Sequence, residues 1–281
     1  MDILSILIII GLFKFSLLDY EENWRSYPTC KIGRLQSPIE IKEYESIYAN
    51  NFSFVYQSYI PTTFSKDCNK NNYACILKTN TNGGYINFER GGVIKQYQFK
   101  SAELYRGLHK VDGEEGEYEL HLIHEKNLDF ITNKNQYRSI QDANMYLVIV
   151  LRYSSSCNNK ACTSDNNLLN NILSTTDEAK FNLNDYSIFQ DKRAYFYEGS
   201  FVHIPCDENV NYYVVKDLFF LNSDTKDKLN DVPSESTNIK AANTFGRPVY
   251  KNFMNYREVL GNDYFSFKKY FTLFLFMIIF L

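Results

Sequence analysis

The chain has 281 residues, a net charge of −3 and a pI near 5.9, a length normal for one β-rich domain with a substantial core. The lack of a basic balance argues against a nucleic-acid partner. Twenty-three Tyr and 22 Phe, an aromatic share of 16%, favour strands and disfavour disorder.

Residues 1–18 contain an apolar run, 3–13, of signal-peptide length and too short to span a bilayer. This predicts a secretory signal peptide at 1–18 and a mature chain beginning near Asp19. The positive charge ahead of the run is only the amino terminus, so an uncleaved anchor is the competing reading. Secretion and six cysteines predict an oxidising compartment and up to three disulfides among fifteen arrangements. Cys68 with Cys75, and Cys157 with Cys162, sit in Asn/Lys-rich segments and can close locally, which leaves Cys30 with Cys206. Asn51-Phe52-Ser53 is a glycosylation sequon.

The stretch 97–125 carries three of the four histidines, His109, His121 and His124, and its ends alternate as strands do. Residues two apart share a strand face and residues three apart do not. His121 and His124 therefore cannot meet at one ion, whereas Glu119 shares the face of His121. Further on, 146–151 reads as an apolar strand buried on both faces, and the Asn/Ser/Asp-rich pieces 154–171 and 222–236 read as loops. Gly91-Gly92 is a turn, and 112–119 a solvated acidic turn lacking EF-hand spacing. Gly199-Ser200-Phe201 lacks the second glycine of a nucleophile elbow. The last twelve residues are apolar and follow a polar spacer, 261–281 in all. As a helix they reach only about 18 Å, short of a bilayer core, so a glycosylphosphatidylinositol signal is expected over a transmembrane tail that would bury Lys268 and Lys269.

Several segments in order resemble the α-carbonic anhydrase family: Gln36-Ser37-Pro38-Ile39-Glu40-Ile41 (QSPIDI), Asn82-Gly83-Gly84 (NGH), Gly107 to Gly113 (GSEHTVDG), Tyr118 to His124 (AELHLVH), Tyr197 to Cys206 (YPGSLTTPPC) and Asn243 to Val249 (near NFRP). Asn23-Trp24 resembles the family's opening motif. The resemblance implies a mainly β fold, a single twisted, mostly antiparallel sheet of about ten strands with short surface helices, over 19–260. It also supports the Cys30 to Cys206 disulfide.

The same resemblance implies three histidine zinc ligands, a threonine that accepts a hydrogen bond from zinc-bound hydroxide, a glutamate that orients it, and a histidine proton shuttle. Matching Gln98-Phe99 to the family's QFHFHWG places Lys100 and Ala102 at two of the ligand positions, leaving His121 as the surviving ligand. No histidine lies between Met1 and Leu108, so no register restores the others. Val202 stands for the threonine, Leu108 for the glutamate and Gly84 for the shuttle. Glu119, His109 and Tyr197 correspond to the residues that support the third ligand, His124 faces the core, and His203 lies at the pocket lip.

The expected function is that of a secreted, membrane-tethered carbonic anhydrase-like protein without zinc or hydratase activity, a binding, adhesion or structural module at the cell surface. A protein or glycan ligand and the membrane, through the tail, are its expected partners. No cofactor is expected. The alternatives are a divergent zinc carbonic anhydrase that rebuilds its metal site from His121, His203 and Glu103 or Glu119, and a non-catalytic subunit of a membrane complex.

Overall fold

A computed structural model describes residues 27, 29–30, 33–49, 52–68, 74–128, 144–156, 168–174, 180–186, 193–233 and 248–253. The predicted signal peptide, the tail, the sequon at Asn51, Trp24 and the Cys157 and Cys162 pair lie outside these residues.

The strands are β1 (Glu40–Ile41), β2 (Ile47–Tyr48), β3 (Phe52–Tyr59), β4 (Phe64–Asp67), β5 (Cys75–Thr79), β6 (Gly84–Arg90), β7 (Val93–Arg106), β8 (Lys110–Val111), β9 (Glu114–Glu115), β10 (Tyr118–Lys126), β11 (Tyr146–Ser154), β12 (Ala194–Gly199), β13 (Val210–Phe220) and β14 (Tyr250–Lys251). Eleven of them form one mixed sheet ordered β2-β14-β12-β13-β11-β10-β7-β5-β4, with β3 and β6 joined through β7. The β11–β13 and β14–β2 pairs are parallel and the other pairs of this sheet antiparallel. The large, mostly antiparallel sheet expected from the sequence is present. Among the described residues two α-helices, α1 (Leu168–Leu173) and α2 (Ser223–Asp227), occur where loops were read: α2 lies inside 222–236, and α1 begins inside 154–171 and runs two residues past it. Each is about one to two turns long, too short for a helical period to show against a polar background.

Alternation divides the sheet into two faces. Leu104, Leu120, Leu122, Leu147, Ile149 and Leu151 join a broad aromatic core with Phe88, Phe99, Phe196 and Phe219, sealed by Leu168, Leu169 and Ile172 of α1. The opposite face carries Ile123, Val148, Val150, Tyr195, Tyr197, Val210, Tyr212 and Val214, against which Ile41 and Val111 of the small β1-β8-β9 sheet and Ile39 just before β1 pack. β11 is buried almost throughout, as its unbroken apolar run predicts.

Two disulfides close within the described residues, Cys30–Cys206 and Cys68–Cys75, both as expected. The first spans 176 residues of sequence and ties the amino-terminal segment to the loop after β12. Replacing both of its cysteines by serine is expected to lower the free energy of unfolding by up to roughly 5 kcal/mol, the chain-entropy value for such a loop, measured by urea denaturation.

Candidate functional site

The site grows from Glu119 on β10, a carboxylate with no solvent exposure. Its Oε1 accepts from the backbone N–H groups of Leu108 (3.2 Å) and His109 (2.6 Å), and its Oε2 from His109 Nδ1 (2.8 Å) and His121 Nε2 (3.0 Å). A carboxylate offers about four lone-pair sites, so all are engaged. Burial alone would raise the Glu119 carboxyl, but the His109 and His121 rings hold it well below the usual carboxylate range. An ionised Glu119 fixes the proton on His109 Nδ1. Burial lowers the His109 pKa against the pull of Glu119, and the neutral ring accepts at Nε2 from the Tyr197 hydroxyl (2.6 Å). Ser37 Oγ lies 3.2 Å from that hydroxyl, linking the amino-terminal segment to the site.

His109, Glu119 and Tyr197 therefore form one hydrogen-bonded chain, and Glu119 holds both histidines. The Tyr197→Phe variant is expected to fold yet lose about 1–3 kcal/mol in urea denaturation, because His109 Nε2 is left buried without that donor.

β7 supplies the wall facing His121. Register pairs His121 with Glu103, and the next residue on that face, Tyr105, has its ring 4.7 Å from the His121 imidazole. The Tyr105 hydroxyl donates to Glu103 Oε2 at 2.5 Å. Both side chains are buried, Glu103 at 6% exposure. His203 Nε2 stands 4.0 Å from the same Glu103 oxygen, while its Nδ1 donates to the Ile204 carbonyl and its ring stacks on Phe201. Tyr105, Leu108, Val202 and Ala74 form one apolar cluster with Ile76 against it.

These positions correct the alignment of Lys100 and Ala102. β7 carries a bulge: Phe99 pairs with His124 and Ser101 with Ile123, so Lys100 is the extra residue. It is 42% exposed and reaches Glu125 Oε2 at 3.0 Å and Gln98 Oε1 at 3.1 Å. Ala102 pairs with Leu122 and Leu77 and belongs to the aromatic core on the far face. The residues that face His121 from this strand are Glu103 and Tyr105, three positions further on. Sequence reasoning missed the Tyr105–Glu103 pair, although the strand's own alternation, Ala102 and Leu104 apolar against Glu103 and Tyr105 polar, carried the signal.

Leu108 and Val202 do meet within one cluster. Gly84 opens β6 with φ +86°, and a Cβ there would lie 2.3 Å from the Ser58 carbonyl oxygen, so the backbone demands glycine at this position. His124 faces the core as expected: its Nδ1 donates to the Leu122 carbonyl and its Nε2 accepts from the Tyr59 hydroxyl, both at 3.0 Å. Of the described His, Cys, Asp and Glu side chains, His109, Glu119 and His121 bring three ligand atoms within 4.8 Å of one another. Their hydrogen bonds to each other account for that proximity.

The family model of the eukaryotic-type carbonic anhydrases matches residues 19–261. Alpha carbonic anhydrase 8 of Arabidopsis thaliana is 26% identical over 219 residues, 76% of this chain and 50% of that protein, so the chain spans about half the length of this curated relative. Among solved structures, dioscorin complexed with ascorbate superposes with a TM-score of 0.59 at 19% identity, covering 82% of this chain and 92% of its own. The alpha-carbonic anhydrase of Photobacterium profundum gives 0.59 at 17%, covering 82% and 95%. That of Thermovibrio ammonificans, in complex with the inhibitor sulfanilamide, gives 0.56 at 21%, covering 80% and 90%. These likenesses describe the fold, and the family match over most of the chain gives its membership: this protein belongs to the eukaryotic-type carbonic anhydrase family.

Proposed function

We propose that the chain is a secreted, membrane-tethered carbonic anhydrase-like protein that does not hold zinc or hydrate CO2, and that it serves as a binding or adhesion module for a protein or glycan at the cell surface. The observation that carries this reading is the Tyr105–Glu103 bond opposite His121. A catalytic zinc site needs three protein donors and an open position. Here one candidate donor is a phenol spent on its neighbour, the Glu119 oxygens are filled by four donors, and His121 stands as a lone imidazole. Where a metal-bound hydroxide would need an oxygen to orient it, Leu108 and Val202 present hydrocarbon. The donor set does not fit the family's metal.

The 4.0 Å approach of His203 to Glu103 favours one second reading, a rebuilt site of two histidines and a carboxylate, a known zinc donor set. Against it, Glu103 Oε2 already accepts from the Tyr105 hydroxyl, and His203 Nδ1 is committed to the Ile204 carbonyl. Metal analysis and stopped-flow CO2 hydration on protein secreted in zinc-supplemented medium test both readings. Trace zinc and a background rate are expected, whereas one zinc per chain with measurable hydration would favour the rebuilt site. Release from cells by a phosphatidylinositol-specific phospholipase distinguishes the tethered module from a subunit that keeps both hydrophobic ends.

A further inference from the structure

We propose that the β2 edge of the sheet is a membrane-facing surface, seated on the zwitterionic lipid interface to which the domain's carboxy-terminal lipid anchor holds it. The inference rests on the tethered reading above. Within five residues the chain exposes Tyr44 at 77%, Ile47 at 51% and Tyr48 at 40%. Ile47 and Tyr48 are consecutive in a strand and point to opposite sides, yet both are exposed, because β2 ends the sheet among the described residues. Tyrosine, with an apolar body and a polar tip, suits the boundary between headgroups and acyl chains. The charges beside the patch are paired: Lys42 with Glu45 at 3.4 Å, and Glu43 with Lys216. Anionic lipid is therefore unnecessary and salt has little influence.

The chain's own course chooses a bilayer as the occupant. β14 pairs in parallel with β2, Tyr250 opposite Ile47 and Lys251 opposite Tyr48. From Phe253, two residues on, eight residues lead to Gly261, where the polar spacer and apolar tail begin. Fully extended they reach at most about 28 Å, so the spacer starts within that distance of the end of β14 and of the exposed patch beside it. Such a short link raises the effective concentration of even a weak interfacial contact.

The test uses the full chain, extracted from the membranes of secreting cells and reconstituted in phosphatidylcholine vesicles with brominated acyl chains. Tyr44→Trp and, as a second probe, Tyr48→Trp are read against the parent chain, whose Trp24 gives a common background. The control is Leu128→Trp, an exposed site just beyond β10, five strands from β2 in sheet order. The added emission at positions 44 and 48 is expected to fall about twofold relative to unbrominated vesicles, as for residues in an aromatic belt, and that at 128 to stay constant. Equal quenching at all three positions, or none, overturns the inference while the tether stands. Blue-shifted but unquenched emission at 44 and 48 overturns it in favour of a protein or glycan covering the patch. Failure of the chain to remain with membranes defeats the tethered reading itself, and the inference with it.

Discussion

Replacing Glu103 and Tyr105 together by histidine is expected to give a protein that binds one zinc ion per chain, against only traces expected for the parent. The expectation follows from register. Glu103 lies directly opposite His121 and Tyr105 follows on the same face, so two imidazoles there converge on the third from the neighbouring strand. The His121 ring is already oriented, with Nε2 engaged by Glu119, and Glu119 is fixed in turn by three further donors. Such partners set a ligand's tautomer and raise its basicity. At a zinc concentration one hundred times the dissociation constant, binding adds about 2.7 kcal/mol to stability, visible as a rise in melting temperature that a chelator reverses. The paired variant Lys100→His with Ala102→His serves as the contrast. The first imidazole would hang from the exposed bulge, and the second would be forced among Leu122, Leu77 and the aromatic core, at a cost of about 1–3 kcal/mol or more and with no zinc gained. Zinc in the second pair and none in the first would overturn the register argument. Hydration should stay at background in the zinc-binding variant until Leu108→Glu and Val202→Thr supply the two missing oxygens.

That contrast also shows where the sequence could be read and where it could not. β10 was legible residue by residue, because strict alternation puts Glu119 and His121 on one face and His124 on the other, and nothing interrupts the strand. The Glu119, His109 and Tyr197 network was implied by the family resemblance and not by β10 itself, since His109 lies in the loop after β7 and Tyr197 on β12. The two disulfides within the described residues followed from spacing and family resemblance together. β7 failed at one residue. Its recognisable upstream piece, Gln98-Phe99, lies before the bulge at Lys100, so counting forward from it lands on the wrong residues and, for Ala102, on the wrong face. Counting back from Gly107 at the end of the strand would have reached Tyr105 and Glu103. A bulge is a backbone event with no fixed residue signature, and Lys100 gives no hint that it opposes nothing. Helices α1 and α2 were illegible for a different reason: neither is long enough for amphipathic spacing to repeat.

Lowering the pH from 7 to 4 is expected to remove several kcal/mol of stability from the domain, and His124→Gln should remove a large part of that dependence. Burial brings the His124 pKa down from 6.5 to about 4, against the pull of the Leu122 and Leu147 carbonyls, and burial also lowers His109. In the unfolded chain both rings take up protons near pH 6.5, while in the native state they stay neutral. The unfolded state therefore binds more protons below that pH, and stability falls as the medium is acidified. For His124 the window runs from 6.5 down to about 4, a loss of about 3 kcal/mol at 1.36 kcal/mol per pH unit, and His109 adds to it with the same sign. Glu119 acts later. Its native carboxyl is held well below the usual range by the two histidines, so its contribution is complete above the unfolded value of 4.5 and drains away only as the pH falls below it. The core explains why His124 resists its proton: Nδ1–H is committed to the Leu122 carbonyl and Nε2 already accepts from Tyr59, so a second ring proton would meet a hydroxyl that must first turn around. Urea denaturation at pH 7, 6 and 5 gives the slope. A parent protein equally stable across that range would mean that these rings charge freely inside the fold, and that the buried histidine network is not the neutral, fully hydrogen-bonded structure described.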